Sequence, residues 1–381
     1  TNIVGNPFQW DSLKPSLTSS LDMQTTFRFR HVNSDVTFPI KKECEGIPSV
    51  YRQAENLKGR FTRIVYGLPE DSVGNFSPSI LQHNKNTYIA WRSQPEPFGF
   101  KYDNNYYYLN NTPTDIYLGQ LADDCTVLGA KKLRSTPHRL SYEDPRLFVG
   151  PDEQMYVQFV TSKYASKYDL KGKKLFDSPK VAVCYVDQTG EAVSAAIPPI
   201  GKNRIKGETE KNWCFFSHEG LLHCLYSIRP FVIEREDKTS ITINSDVLEN
   251  VTKGTPTFCS LPPLEVDEGN LVFYHWKHMT FDQNGQPYLL YHLGVFMVDK
   301  QFTKITHVAN EPLFSGSLED TLITWTDYVG NPVSKQPAVL LPFGAFIEDG
   351  ELVMSLGVND AFMGILRCPI DEILKKLQEV S

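Results

Sequence analysis

No stretch of the sequence reaches the ~18 consecutive apolar residues of a membrane-spanning helix, and the opening "TNIVGNPFQWDSLKPS" lacks the charged-then-apolar order of a secretory signal. The expectation from these two absences is a cytoplasmic chain without a membrane partner. A basic block is missing too: 38 Lys and Arg are scattered among 45 Asp and Glu, for a net charge of -7, which argues against nucleic acid as a partner. The seven cysteines form no C-x-x-C pair and are odd in number, so neither a disulfide framework nor zinc-ligand spacing is implied. Several stand in apolar runs such as "VAVCYV" and "LLHCLYSI", where buried thiols are expected. There is no H-E-x-x-H and no G-x-S-x-G, hence no expectation of a metal or of a serine nucleophile.

What is present is β-strand. Runs of period two, bounded by turn residues, dominate a chain of 381 residues with 24 Gly, 25 Pro and 12% aromatics. Five segments share a plan of polar motif, turn and apolar strand: "NFSPSILQHNKNTYIAWR", "YEDPRLFVGPDEQMYVQFV", "EKNWCFFSHEGLLHCLYSI", "LPPLEVDEGNLVFYHW" and "LLPFGAFIEDGELVMSLGVND". The first three begin at Asn75, Tyr142 and Glu210, 67 and 68 residues apart, which is enough chain for a four-stranded sheet each. The pattern predicts an all-β fold, a five-bladed β-propeller occupying residues 1–381 as one domain, with polar groups at the heads of the innermost strands facing a central funnel. Residues 1–66 are less repetitive and are expected to supply an outer strand or a flap, and residues 67–368 the blades. "PIDEILKKLQEV" predicts a C-terminal amphipathic helix over 369–381, with Pro369 at its start and Ile370, Ile373, Leu374 and Leu377 on one face. The Tyr- and Asn-rich residues 93–115 read as a long loop of the first blade whose aromatics could stack on sugar rings.

The charge in "YEDPRLF" stands where a buried strand begins, as expected at a funnel mouth. This motif is similar to the E-D-P-R signature of glycoside hydrolase family 130, the β-mannoside phosphorylases with their β-mannosidase and β-1,2-mannosyltransferase relatives. "NFSPSI", "EKNWCFF", "YSIRP", "LPPLEVDEGNLVFYH", "YLLYHLGVFMVD" and "LPFGAF…LVMSLGVNDAFMGI" resemble further family segments in the family's order, from about Asn75 to the C-terminus.

The resemblance implies inverting, reversible phosphorolysis of a β-mannoside or similar glycoside. Asp144 would be the general acid, and inorganic phosphate the co-substrate, with no other cofactor. It places Arg146, Lys211 and His275 at the phosphate, with Arg229 as a further cation. Asn75 and Ser77 fall in the sugar-binding segment. Glu143 is assigned to sugar hydroxyls or to orienting Arg146, Arg92 to the sugar or to Glu143, and Asp360 to a sugar hydroxyl. The implied partner is an oligosaccharide or a sugar phosphate, and the oligomeric state is left open.

Three departures bear on the nucleophile. Lys180 stands where the family's phosphorylases carry Arg, K-D reads Lys211-Asn212, and Y-H-G reads Tyr274-His275-Trp276. Transfer from a nucleotide sugar or sugar phosphate is therefore an alternative. Hydrolysis is another, with Glu210 or Asp360 as base, and so is a non-catalytic glycan-binding propeller.

Overall fold

The computed structural model describes residues 49–70, 72–95, 99–102, 105–109, 114–133, 140–163, 180–186, 192–196, 211–285, 287–318, 323–326 and 336–380. The expected arm therefore falls largely outside the described residues, as does Glu210. From Ser49 onward, α1 (Ser49–Glu55) leads into β1 (Arg60–Arg63). Next come β2 (Ser72–His83) and β3 (Asn86–Pro95), a hairpin of β4 (Gly99–Tyr102) and β5 (Asn105–Leu109), then β6 (Asp115–Leu121) and β7 (Val127–Lys132). β2, β3, β6 and β7 form one four-stranded antiparallel sheet.

A second such sheet holds β8 (Leu140–Val149), β9 (Met155–Lys163), β10 (Lys180–Val186) and β11 (Ala192–Ala196). A third holds β12 (Cys214–His218), β13 (Leu221–Ile228), β14 (Phe231–Arg235) and β15 (Ser240–Ile243). After α2 (Glu249–Thr252) the chain builds β16 (Thr257–Cys259), β17 (Leu264–Val266), β18 (Gly269–Phe281), β19 (Pro287–Val298), β20 (Ile305–Ala309) and β21 (Phe314–Ser315). β22 (Ile323–Thr326) pairs with β5, and β23 (Gln336–Ala338) with β19, both in parallel.

β24 (Leu340–Glu348), β25 (Glu351–Val358) and β26 (Phe362–Pro369) are completed by β1, which pairs antiparallel with β26 from Arg60 opposite Arg367 to Arg63 opposite Gly364. β1, near the end of the region expected to supply an outer strand or a flap, is the outermost strand of this sheet. The chain ends in α3 (Ile370–Leu374) and β27 (Leu377–Glu379).

The result is an all-β, propeller-like fold with four four-stranded sheets and one eight-stranded sheet around β18 and β19. The head strands pack side by side: β2 lies between β8 and β24, and β8 also contacts β12. Apolar side chains of alternating positions fill the spaces between neighbouring sheets, as with Trp91, Ile80, Ile365 and Met363, or Phe148, Val160, Phe215 and Cys224. The six described cysteines are buried free thiols, and among the described residues no helix is long and apolar enough to cross a membrane.

Two expectations change. The C-terminal helix is confined to α3, because β20 offers an unpaired edge: Leu377, Gln378 and Glu379 pair with Ala309, Val308 and His307 instead of continuing the helix. The loop over 93–115 contains β4 and β5, which with β22 make a small three-stranded sheet. The tyrosine side chains of that segment lie outside the described residues.

Candidate active site

At their N-terminal ends the head strands do not run straight into solvent. In β2, Phe76 pairs with Arg92 and Ser79 with Ala90, so Ser77 and Pro78 form a bulge; in β8, Glu143 pairs with Val160 and Arg146 with Gln158, so Asp144 and Pro145 form its counterpart. Proline cannot donate to the ladder and keeps the preceding residue out of the right-handed helical region. Both preceding residues take the left-handed region instead, at φ 52° for Ser77 and 51° for Asp144. Asn212, just before β12, has φ 63°, and Asp360, just after β25, has φ 52°. Ser77, Asp144 and Asn212 are again 67 and 68 residues apart. The same strained turn thus recurs in successive sheets, and each copy takes a polar side chain out of the ladder at the same end of the fold.

The turns meet. Ser77 Oγ donates to Asp144 Oδ1 at 3.4 Å, joining the first two sheets. Beside them, Glu143 is gripped from both sides: Lys211 Nζ lies 2.8 Å from its Oε2 and Arg92 Nη2 3.6 Å from its Oε1. Arg92 is aimed by Thr114, whose Oγ1 accepts from Arg92 Nε at 3.0 Å and donates to the Tyr142 carbonyl at 2.6 Å. Burial opposes ionisation of Glu143, but Arg92 and Lys211 outweigh it and hold the carboxyl at about 2. Asp360 behaves in the opposite way: burial first, then Asp144 and Glu143, push its carboxyl up to about 6 against the pull of Arg92 and Lys211. Its turn is fixed by Asn359, which accepts from Val339 N at 2.6 Å and donates to the Ser317 carbonyl at 2.8 Å. Two carboxyls with pKa values pushed apart therefore flank the half-buried Asp144.

Arg146 and His275 form a second layer, both almost fully buried. Arg146 donates from Nε to the Ser260 carbonyl at 2.9 Å and from Nη1 to the Asp144 carbonyl at 3.3 Å. Ser260 Oγ lies 3.0 Å from His275 Nδ1, so one residue ties the arginine to the imidazole. Burial, with Arg146 and Lys277 nearby, pulls the imidazole down to about 3, which keeps it neutral at neutral pH. Arg146 thus also steadies the Asp144 backbone from behind.

Of the residues expected at a site, Ser77, Arg92, Glu143, Asp144, Lys211 and Asp360 come together, with Arg146 and His275 beneath. Asn75 lies beside them, its Oδ1 accepting from Trp91 Nε1 at 2.8 Å. Arg229 stands at the same end of its sheet but turns to α2, with Nη2 2.8 Å from Glu249 Oε2 and Nη1 donating to Thr252 Oγ1 at 3.0 Å. The Lys180 side chain is outside the described residues.

Two residues were not picked out from the sequence. Tyr291 sits where burial and the carboxylates of Asp360 and Asp144 hold its phenol well above the ordinary range. Lys277 pairs with it across β18 and β19. Among the described residues no group of three or more His, Cys, Asp or Glu side chains is arranged to hold a metal ion.

No family model and no curated protein matches the sequence. Solved structures do match the fold. One, from the GH130 family of mannoside phosphorylases and described with glycoside hydrolases that target β-1,2 mannosidic linkages in Candida mannan, superposes with a TM-score of 0.52 at 11% identity over 81% of this chain and 93% of its own. The chain has the fold of the GH130 enzymes. A mannose phosphorylase from Leishmania mexicana in complex with phosphate ion gives a TM-score of 0.51 at 12% identity, covering 88% of this chain and 98% of its own. A glycosyl hydrolase from Bacteroides ovatus gives 0.52 at 12% identity, covering 81% and 93%. The GH130 resemblance read from the motifs thus agrees with the architecture.

Proposed function

We propose that this chain is a GH130 enzyme that cleaves a β-mannoside or similar glycoside by inverting phosphorolysis. In this reading the eight-stranded sheet is the fifth blade, with β16 and β17 sharing the head-strand position. The observation that carries the proposal is Asp144, set out of the ladder at a strained bulge beside a compensated Glu143 and above Arg146. In the reaction, an oxygen of phosphate attacks the anomeric carbon from the face opposite the glycosidic bond. As the bond breaks, its electrons pass to the leaving oxygen, which takes the Asp144 proton. The products are a sugar 1-phosphate of inverted configuration and a free sugar end. Protonation by a positioned acid is worth ~10²–10⁴-fold. Glu143 cannot serve as that acid, because Arg92 and Lys211 keep it ionised; it anchors the two cations and accepts from sugar hydroxyls. In this reading Lys211, Arg146 and the neutral His275 meet the phosphate. Arg229, engaged with Glu249, stays outside this set.

Hydrolysis is the second reading, favoured by Asp360. A carboxyl held at about 6 near Asp144 is the pairing an inverting hydrolase needs for acid and base. The deciding experiment follows sugar release from β-linked mannosides, and phosphate release from α-mannose 1-phosphate with acceptor sugars, with and without inorganic phosphate. Phosphorolysis requires cleavage to depend on phosphate and the reverse reaction to release it. Cleavage in phosphate-free buffer that Asp360→Asn abolishes would make the enzyme a hydrolase. Product from a nucleotide-mannose alone would make it a transferase, and binding without turnover a lectin-like propeller.

A further inference from the structure

β18 and β19 run past the start of β16: Thr257, the first residue of β16, pairs with Trp276, and the hairpin continues to Phe281 and Pro287. The first residue beyond β16 is Lys277. Alternation along the strand puts it on the same face as His275, the face that carries Phe258 and Tyr291. His275 stacks against Phe258 and Tyr291 with ring centres 5.3 Å and 6.2 Å away. The Lys277 ammonium lies 5.8 Å from the centre of the Phe258 ring and 5.2 Å from that of Tyr291, and donates to Tyr291 Oη at 3.2 Å. The ammonium is thereby held over the rings, and the residue as a whole remains exposed.

Lys277 has no carboxylate partner among the described residues. It nevertheless stands close enough to Lys211 for the two charges to repel. Burial and that second cation both lower its pKa. Lys211 is compensated by Glu143; Lys277 is not. Lys277, held on a ring that stacks on His275, and Lys211, held on Glu143, bring two ammonium groups to the same end of the fold as Arg146 and His275, an arrangement that an anion would complete.

We propose that Lys277, seated on Tyr291, is a phosphate contact and a determinant of whether phosphate or water takes the glycosyl unit. The group bound is a phosphate, either inorganic or carried on a sugar 1-phosphate. This rests on the phosphorolysis reading, and Lys277 supplies there a cation that the expected set of Arg146, Lys211 and His275 did not contain.

The test measures thermal stabilisation of wild type, Lys277→Met, Lys277→Arg and Tyr291→Phe by inorganic phosphate and by α-mannose 1-phosphate, with sulfate for comparison, alongside KM and kcat for both. Losing one charge-assisted contact should weaken phosphate about tenfold and raise its KM with a smaller effect on kcat, while arginine restores most of the affinity. Weakening toward inorganic phosphate alone would assign Lys277 to the free anion; weakening toward both ligands would assign it to the transferred group. Lys277 closes no ion pair among the described residues, and its contacts with Tyr291 and Phe258 are made at an exposed position, so the unliganded melting temperature should fall by no more than a few degrees. Should Lys277→Met misfold, arginine and Tyr291→Phe carry the test. Wild-type phosphate affinity in Lys277→Met would overturn the proposal and leave phosphorolysis standing. If wild type itself gained no stability from any anion, both would fall.

Discussion

Asp144 combines a positive φ, a following proline and a buried arginine behind its carbonyl, features that hold one carboxyl in one place at some local cost. Asp144→Asn keeps the volume and removes the proton. Turnover should fall ~10²-fold or more, with the melting temperature within a few degrees of wild type. Turnover within threefold of wild type would end the general-acid role. The flanking carboxyls give a second expectation, through stability. Asp360 moves from an ordinary 3.8 up to about 6, so folding loses stability as pH rises through that window. Glu143 moves from 4.5 down to about 2, so its contribution is present above 4.5 and is lost as pH falls toward 2. Asp360→Asn should therefore raise the melting temperature at pH 7 but not at pH 4; an equal gain at both would show that ionisation is not the cause. Glu143, Asp144, Arg146, Lys211 and His275 were legible because each stands in a short motif. Lys277 and Tyr291 were not, since their pairing depends on the register of a long hairpin and on where β16 stops.

At the scale of single elements, the repeat was readable because its period of polar head and apolar strand survives in sequence, and the 67- and 68-residue spacing returns as the spacing of the strained turns. The C-terminal pattern misled because Ile370, Ile373, Leu374 and Leu377 satisfy a helical stripe, whereas what decided the outcome, the open edge of β20, lies far away in sequence. Glycine placement shows how tightly the elements meet. An added Cβ at Gly344, in the bulge of β24, would come within 2.4 Å of the backbone N and O of Ile80 in β2, with no flexible atom to yield. Gly344→Ala should therefore lose about 1–3 kcal/mol and lower the melting temperature. An unchanged denaturant midpoint would mean that β2 and β24 are not in that contact. Gly294 is similar, its missing side chain leaving room for the Tyr274 ring, which a Cβ would approach to 2.6 Å.

Across the whole molecule, the site draws on β2, β3, β8, the segment just before β12, the β18–β19 hairpin and the turn after β25, so it exists only when these sheets stand together. One of those sheets is completed by β1 against β26, with Phe61, Val50, Ala54 and Leu57 buried beneath it. A chain beginning at residue 64 should lose the cooperative thermal transition and the anion-dependent stabilisation together. A sharp transition with intact phosphate binding would show that the other sheets hold the mouth without β1. The same pairing sets a timetable during synthesis. β1 leaves the ribosome before any other described strand, yet its partner from Gly364 to Arg367 is among the last. Asp144 and its neighbours are thus translated long before Asp360 and β26, and a nascent chain carries Asp144, Glu143 and their cations without the turn that holds Asp360. Under the proposed function, catalysis can begin only after the C-terminal strands have emerged and the two distant segments have met, which would make activity itself a late reporter of that pairing.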